Sequence, residues 1–221
     1  MAMPDMAMPT AKAWSLADYG FLFAMWAVMM IGMMTPSVAP AVLLYAAVGR
    51  KAADQGKPLA ATGWFVSGYL LCWVLFALCA AAIQLLLANA LLLTPAMGLV
   101  SGAAAGAVLV AAGVYQWSPL KTHCLSHCQT PMSFIQRHGG FRQTSSGALR
   151  LGTLHGFYCV GCCWVLMALL FVGGVMNLLW IAALSILVLA EKVLPAGHLF
   201  ARIVGTGLVA AGGWLLLRSI L

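Results

Sequence analysis

Acidic side chains are nearly absent: the 221 residues include four Asp or Glu. Hard cations such as calcium and magnesium need cages of several oxygens, and four scattered carboxylates cannot build them. Charge of either sign is sparse, with 7% of residues charged against 64% hydrophobic and a mean hydropathy of +1.02. A soluble domain carries about 25% charged residues, so the composition excludes that class. Also missing is a phosphate-binding loop, which leaves nothing to power transport by ATP. There is no basic groove interleaved with aromatics, so the net charge of +7 does not mark a nucleic-acid face. The start, MAMPDMAMPTAKAW, lacks a basic segment followed by an apolar core, and the first helix is expected to serve as its own insertion signal.

What fills the chain instead is a series of long apolar runs, near 19–48, 61–90, 96–117, 151–172, 175–194 and 198–220. A bilayer asks for roughly 20 apolar residues per helix, and runs this long in Leu, Ala and Met read as helices rather than strands. The expectation is an all-α fold: a polytopic membrane protein, a single integral domain over 1–221, a bundle of about six transmembrane helices. Residues 1–18 are expected to form a flexible tail and 119–150 a polar loop. Arg50, Lys51, Lys57, Lys121, Arg137, Arg142, Arg150, Lys192 and Arg202 fall on one side of this plan, Lys12 and Arg218 on the other. The basic side is cytoplasmic, which puts both termini outside, in a bacterial inner membrane. Gly98, Gly102 and Gly106 form a small-xxx-small stripe suited to close helix approach. Thr35-Pro36 and Pro40 predict a kink or partial unwinding of the first helix.

Against this apolar background, soft ligands cluster. In LHGFYCVGCCW, His155, Cys159, Cys162 and Cys163 stand at i, i+4, i+7 and i+8, within about a third of a helix circumference. KTHCLSHCQ supplies His123, Cys124, His127 and Cys128 in the loop. If that piece is helical, the two Cys share a face, as do the two His. A cytoplasmic location disfavours a structural disulfide there. MWAVMMIGMM carries Met25, Met29 and Met33 on one stripe with Met30 and Met34 beside it, and the tail holds Met1, Met3, Met6 and Met8. Each has a plain alternative. Methionine fills irregular gaps in packed helices, and Cys72 and Cys79 read as small apolar fillers. His138 and His198 read as interfacial. Glu191 is expected to pair with Lys192 or Lys121, to bind a proton, to support a site from behind its ligands, or to cap a helix end. Two Cys/His clusters in one small chain are harder to attribute to packing.

Thiolate, thioether and imidazole suit soft ions: monovalent copper at low coordination number, or zinc in a tetrahedron. The metal candidates are Cys159, Cys162, Cys163, His155, Cys124, Cys128, His123, His127, Met29, Met33, Met30 and Met34. Copper(I) is the favoured ion, with zinc or mercury as alternatives, for transport, delivery or sensing. Thioethers would lie outside and thiols inside. The expected partners are the lipid bilayer, the metal ion, a periplasmic or cytoplasmic metallochaperone, and a second copy or a membrane complex. Three other functions compete. C-x-x-C at Cys159 and Cys162, with Cys124 and Cys128, fits a membrane thiol–disulfide oxidoreductase. The vicinal Cys162-Cys163 fits mercury uptake. A glycine-rich bundle fits an accessory subunit.

MWAVMMIGMMTPSVAP at 25–40, YQWSPLKTHCLSHCQTP at 115–131 and HGFYCVGCCWVLMALLFVGGVMNLLW at 155–180, continuing to Glu191-Lys192, carry a resemblance. Through them the chain resembles a bacterial domain-of-unknown-function family described as predicted metal-binding integral membrane proteins. The resemblance runs from the first apolar run to the last. It implies a membrane fold with a metal site, and leaves the metal and the activity open.

Overall fold

The computed structural model describes residues 15–90, 92–94 and 97–220. Tail residues Met1, Met3, Met6 and Met8 lie outside the described residues, as does Lys12. Among the described residues the regular structure is helical: α1 (Leu16–Asp54), α2 (Thr62–Asn89), α3 (Gly102–Gln116), α4 (Pro119–Gln129), α5 (Pro131–Arg137), α6 (Ser145–Ala168), α7 (Leu170–Gly173), α8 (Leu178–Val193) and α9 (Gly197–Ile220). Each apolar run has become a helix. Four stretches are long and apolar enough to cross a membrane: Leu16–Asp54, Thr62–Asn89, Ser145–Gly173 and Gly197–Ser219. α3 and α4 are long and apolar enough only when taken together, as a pair bent by 65° that fits a broken span or a re-entrant loop. At 15 and 16 residues, α3 and α8 are each shorter than a straight crossing of roughly 20 residues.

Four sequence expectations need correction. The tail does not extend to residue 18. Ser15 caps α1, accepting from the Asp18 amide while the Asp18 carboxylate accepts from the Ser15 amide, a reciprocal box that starts the helix at Leu16. The prolines do not unwind α1, which stays helical through Pro36 and Pro40. The stretch 119–150 is not an open loop. It holds α4 and α5, each started by Pro at its first turn, where the missing amide costs nothing, and it also contains the first turn of α6. Their apolar side (Leu125, Phe134 and Ile135) is buried. Finally, the Gly98/Gly102/Gly106 stripe does not act as one surface. Gly106 and Gly113 face Gly212 and Gly205 of α9 in an antiparallel crossing, Gly98 meets Gly174, and nothing lies near Gly102.

The crossing that positions the chemistry is α2 against α6. A side chain on Gly152 would strike the Phe65 carbonyl, and one on Gly68 the Leu149 carbonyl. With bare backbones in contact, Tyr69 and Cys72 of α2 reach the inner face of α6. Trp26, Tyr45, Phe65 and Trp73 complete the buried core around them.

Candidate metal centre

The inner face of α6 is a stripe of four side chains: His155, Cys159, Cys162 and Cys163 are all buried. The Cys162 and Cys163 thiols donate to the Cys159 carbonyl at 3.1 and 3.0 Å, which holds both sulfurs against the turn that carries Cys159. Across from them α4 presents Cys124 and Cys128. Cys128 Sγ is 4.0 Å from Cys162 Sγ. Cys124 packs on Gly161, where any side chain would displace it, and Tyr115 pins α3 to the same turn by donating to the Gly161 carbonyl. So the 65° bend between α3 and α4 lays the second cysteine pair onto the first.

Cys159 is the centre of a polar network inside this apolar core. Lys192 of α8 donates from Nζ to Cys159 Sγ at 2.8 Å and to Ser37 Oγ at 3.1 Å. Tyr69 places its hydroxyl 3.0 Å from the same sulfur. Ser37 in turn lies 3.9 Å from Met34 Sδ and donates to the Met34 carbonyl at 2.9 Å. Lys192 is 8% and Cys159 1% exposed, so this ammonium–sulfur contact is shielded from solvent. A second buried lysine sits nearby on α4. Lys121 donates to Glu191 Oε2 at 2.7 Å with both side chains 1% exposed. Gln116 donates to Glu191 Oε1 at 2.9 Å, and the Gln129 amide caps the end of α8 by donating to the carbonyls of Glu191 and Leu194. Glu191 therefore pairs with Lys121 and not with Lys192. Neither lysine belongs to the exposed basic belt in which charge counting placed it.

The histidines do not all join the thiols. His155 faces Cys159, Lys192 and His127 electrostatically, packs on Phe134 at 4.9 Å between ring centroids, and leaves its buried Nδ1 without a hydrogen-bond partner. His127 stacks on Tyr158 at 4.4 Å, 4.6 Å from the His123 ring and 6.2 Å from His138. His123 and His127 thus form, with His138, an imidazole group packed around Tyr158 of α6, with His127 buried and His123 exposed. On α1, Met30, Met33 and Met34 are buried in the core, and Met33 also borders, with Met29, Met25 and Met176, an open apolar groove. Cys72 donates to the Thr153 carbonyl and Cys79 is exposed. Among the described residues, no group of three or more His, Cys, Asp or Glu side chains is arranged to hold a metal ion. What the chain does present is close sulfur pairs. A spacing of 4.0 Å lies just under twice a metal–thiolate bond of about 2.3 Å, so two sulfurs can grip one ion between them.

Lys192, beside Cys159, is the candidate site residue that sequence reading missed. It follows Glu191 at the end of an apolar run, where a flanking charge is expected. The one available signal was the pairing of a second cation with a single carboxylate.

Comparison with known families agrees with the chemistry of this donor set. The sequence profile of the PpoB2 copper chaperone family matches residues 23–215. The chain belongs to that family, and copper handling is its shared theme. No curated protein and no solved structure matches the chain significantly.

Proposed function

We propose that the protein is an integral membrane copper(I) carrier that holds the ion on the thiols of α6 and α4 and delivers it to a partner. The observation that carries this reading is the meeting of Cys128 with Cys162, Sγ to Sγ 4.0 Å, beside Cys159 and its lysine. Thiolates at low coordination number select monovalent copper, whereas zinc asks for four ligands in a tetrahedron. Cys128 and Cys162 are the ligands, and Cys159, Cys163, Cys124 and His155 are the donors next in reach. Met29, Met33, Met30 and Met34 lead toward them from the other end of α1, and Ser37 links Met34 to the Lys192 network. His127, buried against Tyr158 of α6, and the exposed His123 beside it offer an exit toward a soluble metallochaperone or a membrane complex.

With the two buried lysines set aside, the charge count from the sequence still assigns seven exposed or half-buried basic residues, from Arg50 to Arg202, to one side. They support a cytoplasmic placement of α4 and α5, both termini outside, in a bacterial inner membrane. The test is copper(I) titration of the detergent-purified chain against a chromophoric chelator, for wild type and for the Cys128→Ser and Cys162→Ser variants. Wild type is expected to take copper from the chelator, and each variant to lose at least tenfold in affinity, on the order of one metal–ligand contact. If copper stays with the chelator while Cys128 and Cys162 cycle between thiol and disulfide, the protein is instead a thiol–disulfide oxidoreductase.

A further inference from the structure

At the start of α6 lies a cavity of about 230 Å³, lined by His138, Arg142, Gly147, Arg150, Leu151 and Leu154. Gly147, Arg150, Leu151 and Leu154 stand at i, i+3, i+4 and i+7, so they share one face of α6. The two arginines make the outer end of the cavity basic, and the two leucines make its inner end apolar. No carboxylate lines it. Among the described residues, neither Arg142 nor Arg150 has an ion-pair partner.

The Arg142 side chain is held in place before any ligand arrives. Its guanidinium donates to the His138 carbonyl at 2.8 Å. Its own carbonyl accepts from the Ala60 amide at 2.9 Å and from the Tyr45 hydroxyl at 3.4 Å, which ties this turn to α1 and to the start of α2. Gly139, at φ 91°, leaves free the space that its Cβ would take from the Arg142 guanidinium, and a Cβ on Gly147 would press on the Arg142 stem at 3.1 Å. Two glycines thus make room for one arginine. A guanidinium has five N–H donors in a rigid fork that matches the oxygens of a phosphate. One hydrogen bond to a carbonyl leaves most of that fork free, and the exposed Arg150 guanidinium has no hydrogen-bond partner among the described residues.

We infer that this cavity binds a phosphate group, held between the guanidinium groups of Arg142 and Arg150. The group comes from the headgroup of an anionic lipid or from free phosphate. The stretch Ser145–Gly173 is long and apolar enough to cross a membrane, so Gly147 and Arg150 stand in its first turns, at headgroup depth, with Leu151 and Leu154 beneath them. Basic cavities between helices on the cytoplasmic side are suited to such headgroups. The lipid source rests on the membrane placement proposed above. The cavity itself does not, and neither depends on the copper site.

Full-length protein in detergent is incubated with micelles doped with phosphatidylglycerol or with phosphatidylcholine, and retained lipid is counted by native mass spectrometry. A parallel thermal-shift titration uses inorganic phosphate. The variants are Arg150→Gln, at a side chain with no partner to lose, and Arg50→Gln, an exposed arginine outside the cavity. Arg150→Ala serves if the Gln variant does not fold. One phosphatidylglycerol retained per chain in preference to phosphatidylcholine, weakened about fivefold or more in Arg150→Gln and kept in Arg50→Gln, is the result expected for a lipid. A Tm raised by inorganic phosphate in wild type but not in Arg150→Gln, with no lipid retained, would assign the cavity to free phosphate. Equal losses in the two variants would reduce the effect to diffuse surface charge and overturn the inference, as would the absence of any response to either probe. A chain that stays in solution without detergent would overturn the membrane placement and the lipid source together, and the phosphate titration would then decide the cavity.

Discussion

Two buried lysines meet the end of α8, Lys121 reaching it from α4 and Lys192 belonging to it, and they keep different company. Lys121 meets the carboxylate of Glu191, itself held by Gln116, in a pair whose members are each 1% exposed. Lys192 meets a thiol, a phenol and a serine. The first arrangement is closed: one cation, one anion, and hydrogen bonds that fix α3, α4 and α8 together. The second is open, because a thiol becomes a strong partner for an ammonium only when it gives up its proton, and it does so readily to bind a soft metal. Adjacent positions in one helix thus separate a structural charge pair from a functional one.

The largest expected effect comes from breaking the closed pair. Lys121→Met leaves Glu191 in the core without its cation and with Gln116 as its remaining partner, which costs about 3–5 kcal/mol. Thermal unfolding of the purified variant should show that loss, and a Tm equal to wild type would mean that Glu191 is solvated or paired elsewhere. Removing both members, as in Lys121→Met with Glu191→Leu, should recover most of the stability, since buried pairs are commonly replaceable by apolar residues. Lys192→Met should behave differently. Its partner can remain a neutral thiol, so the stability loss is expected to be only about 1 kcal/mol, a hydrogen bond's worth. A Lys192 variant as unstable as the Lys121 variant would erase the distinction between the two.

Finer adjustments follow. Tyr69→Phe removes the hydroxyl beside Cys159 and should weaken copper(I) binding about three- to tenfold, the range of one hydrogen bond of 0.5–1.5 kcal/mol, with little change in fold. Met29→Leu with Met33→Leu preserves volume in the groove and should leave equilibrium affinity at the thiols within about twofold. Its effect belongs in the rate of copper uptake, measurable by stopped-flow chelator exchange. An equal rate in the double variant would confine these methionines to packing.

Much of the helical plan was legible because bilayer-length apolar runs leave few alternatives, and α2 and α9 begin and end within a residue or two of where composition puts them. The α6 stripe was legible for a similar reason: spacings of four and eight are facts of helical geometry, independent of the neighbours. The segment 119–150 was not legible, since its hydropathy is that of a loop and its burial comes from α6, 30 residues away in sequence. For Glu191 both lysine partners were conceivable from sequence. The choice between them depends on how α4 folds back, which no local pattern encodes. The contact between Lys192 and Cys159 spans 33 residues and joins residue types that are not usually paired, so it emerged only from the packed structure.

The central claim is that copper(I) is held by few ligands, all sulfur, where α4 meets α6. The most direct measurement is X-ray absorption at the copper K-edge on the copper(I)-loaded protein in detergent. Two or three sulfur neighbours and no nitrogen or oxygen shell, lost in the Cys128→Ser/Cys162→Ser variant, is the expected result. A shell dominated by imidazole nitrogen, or a sulfur shell that survives that variant, would move the site away from Cys128 and Cys162 and contradict the account.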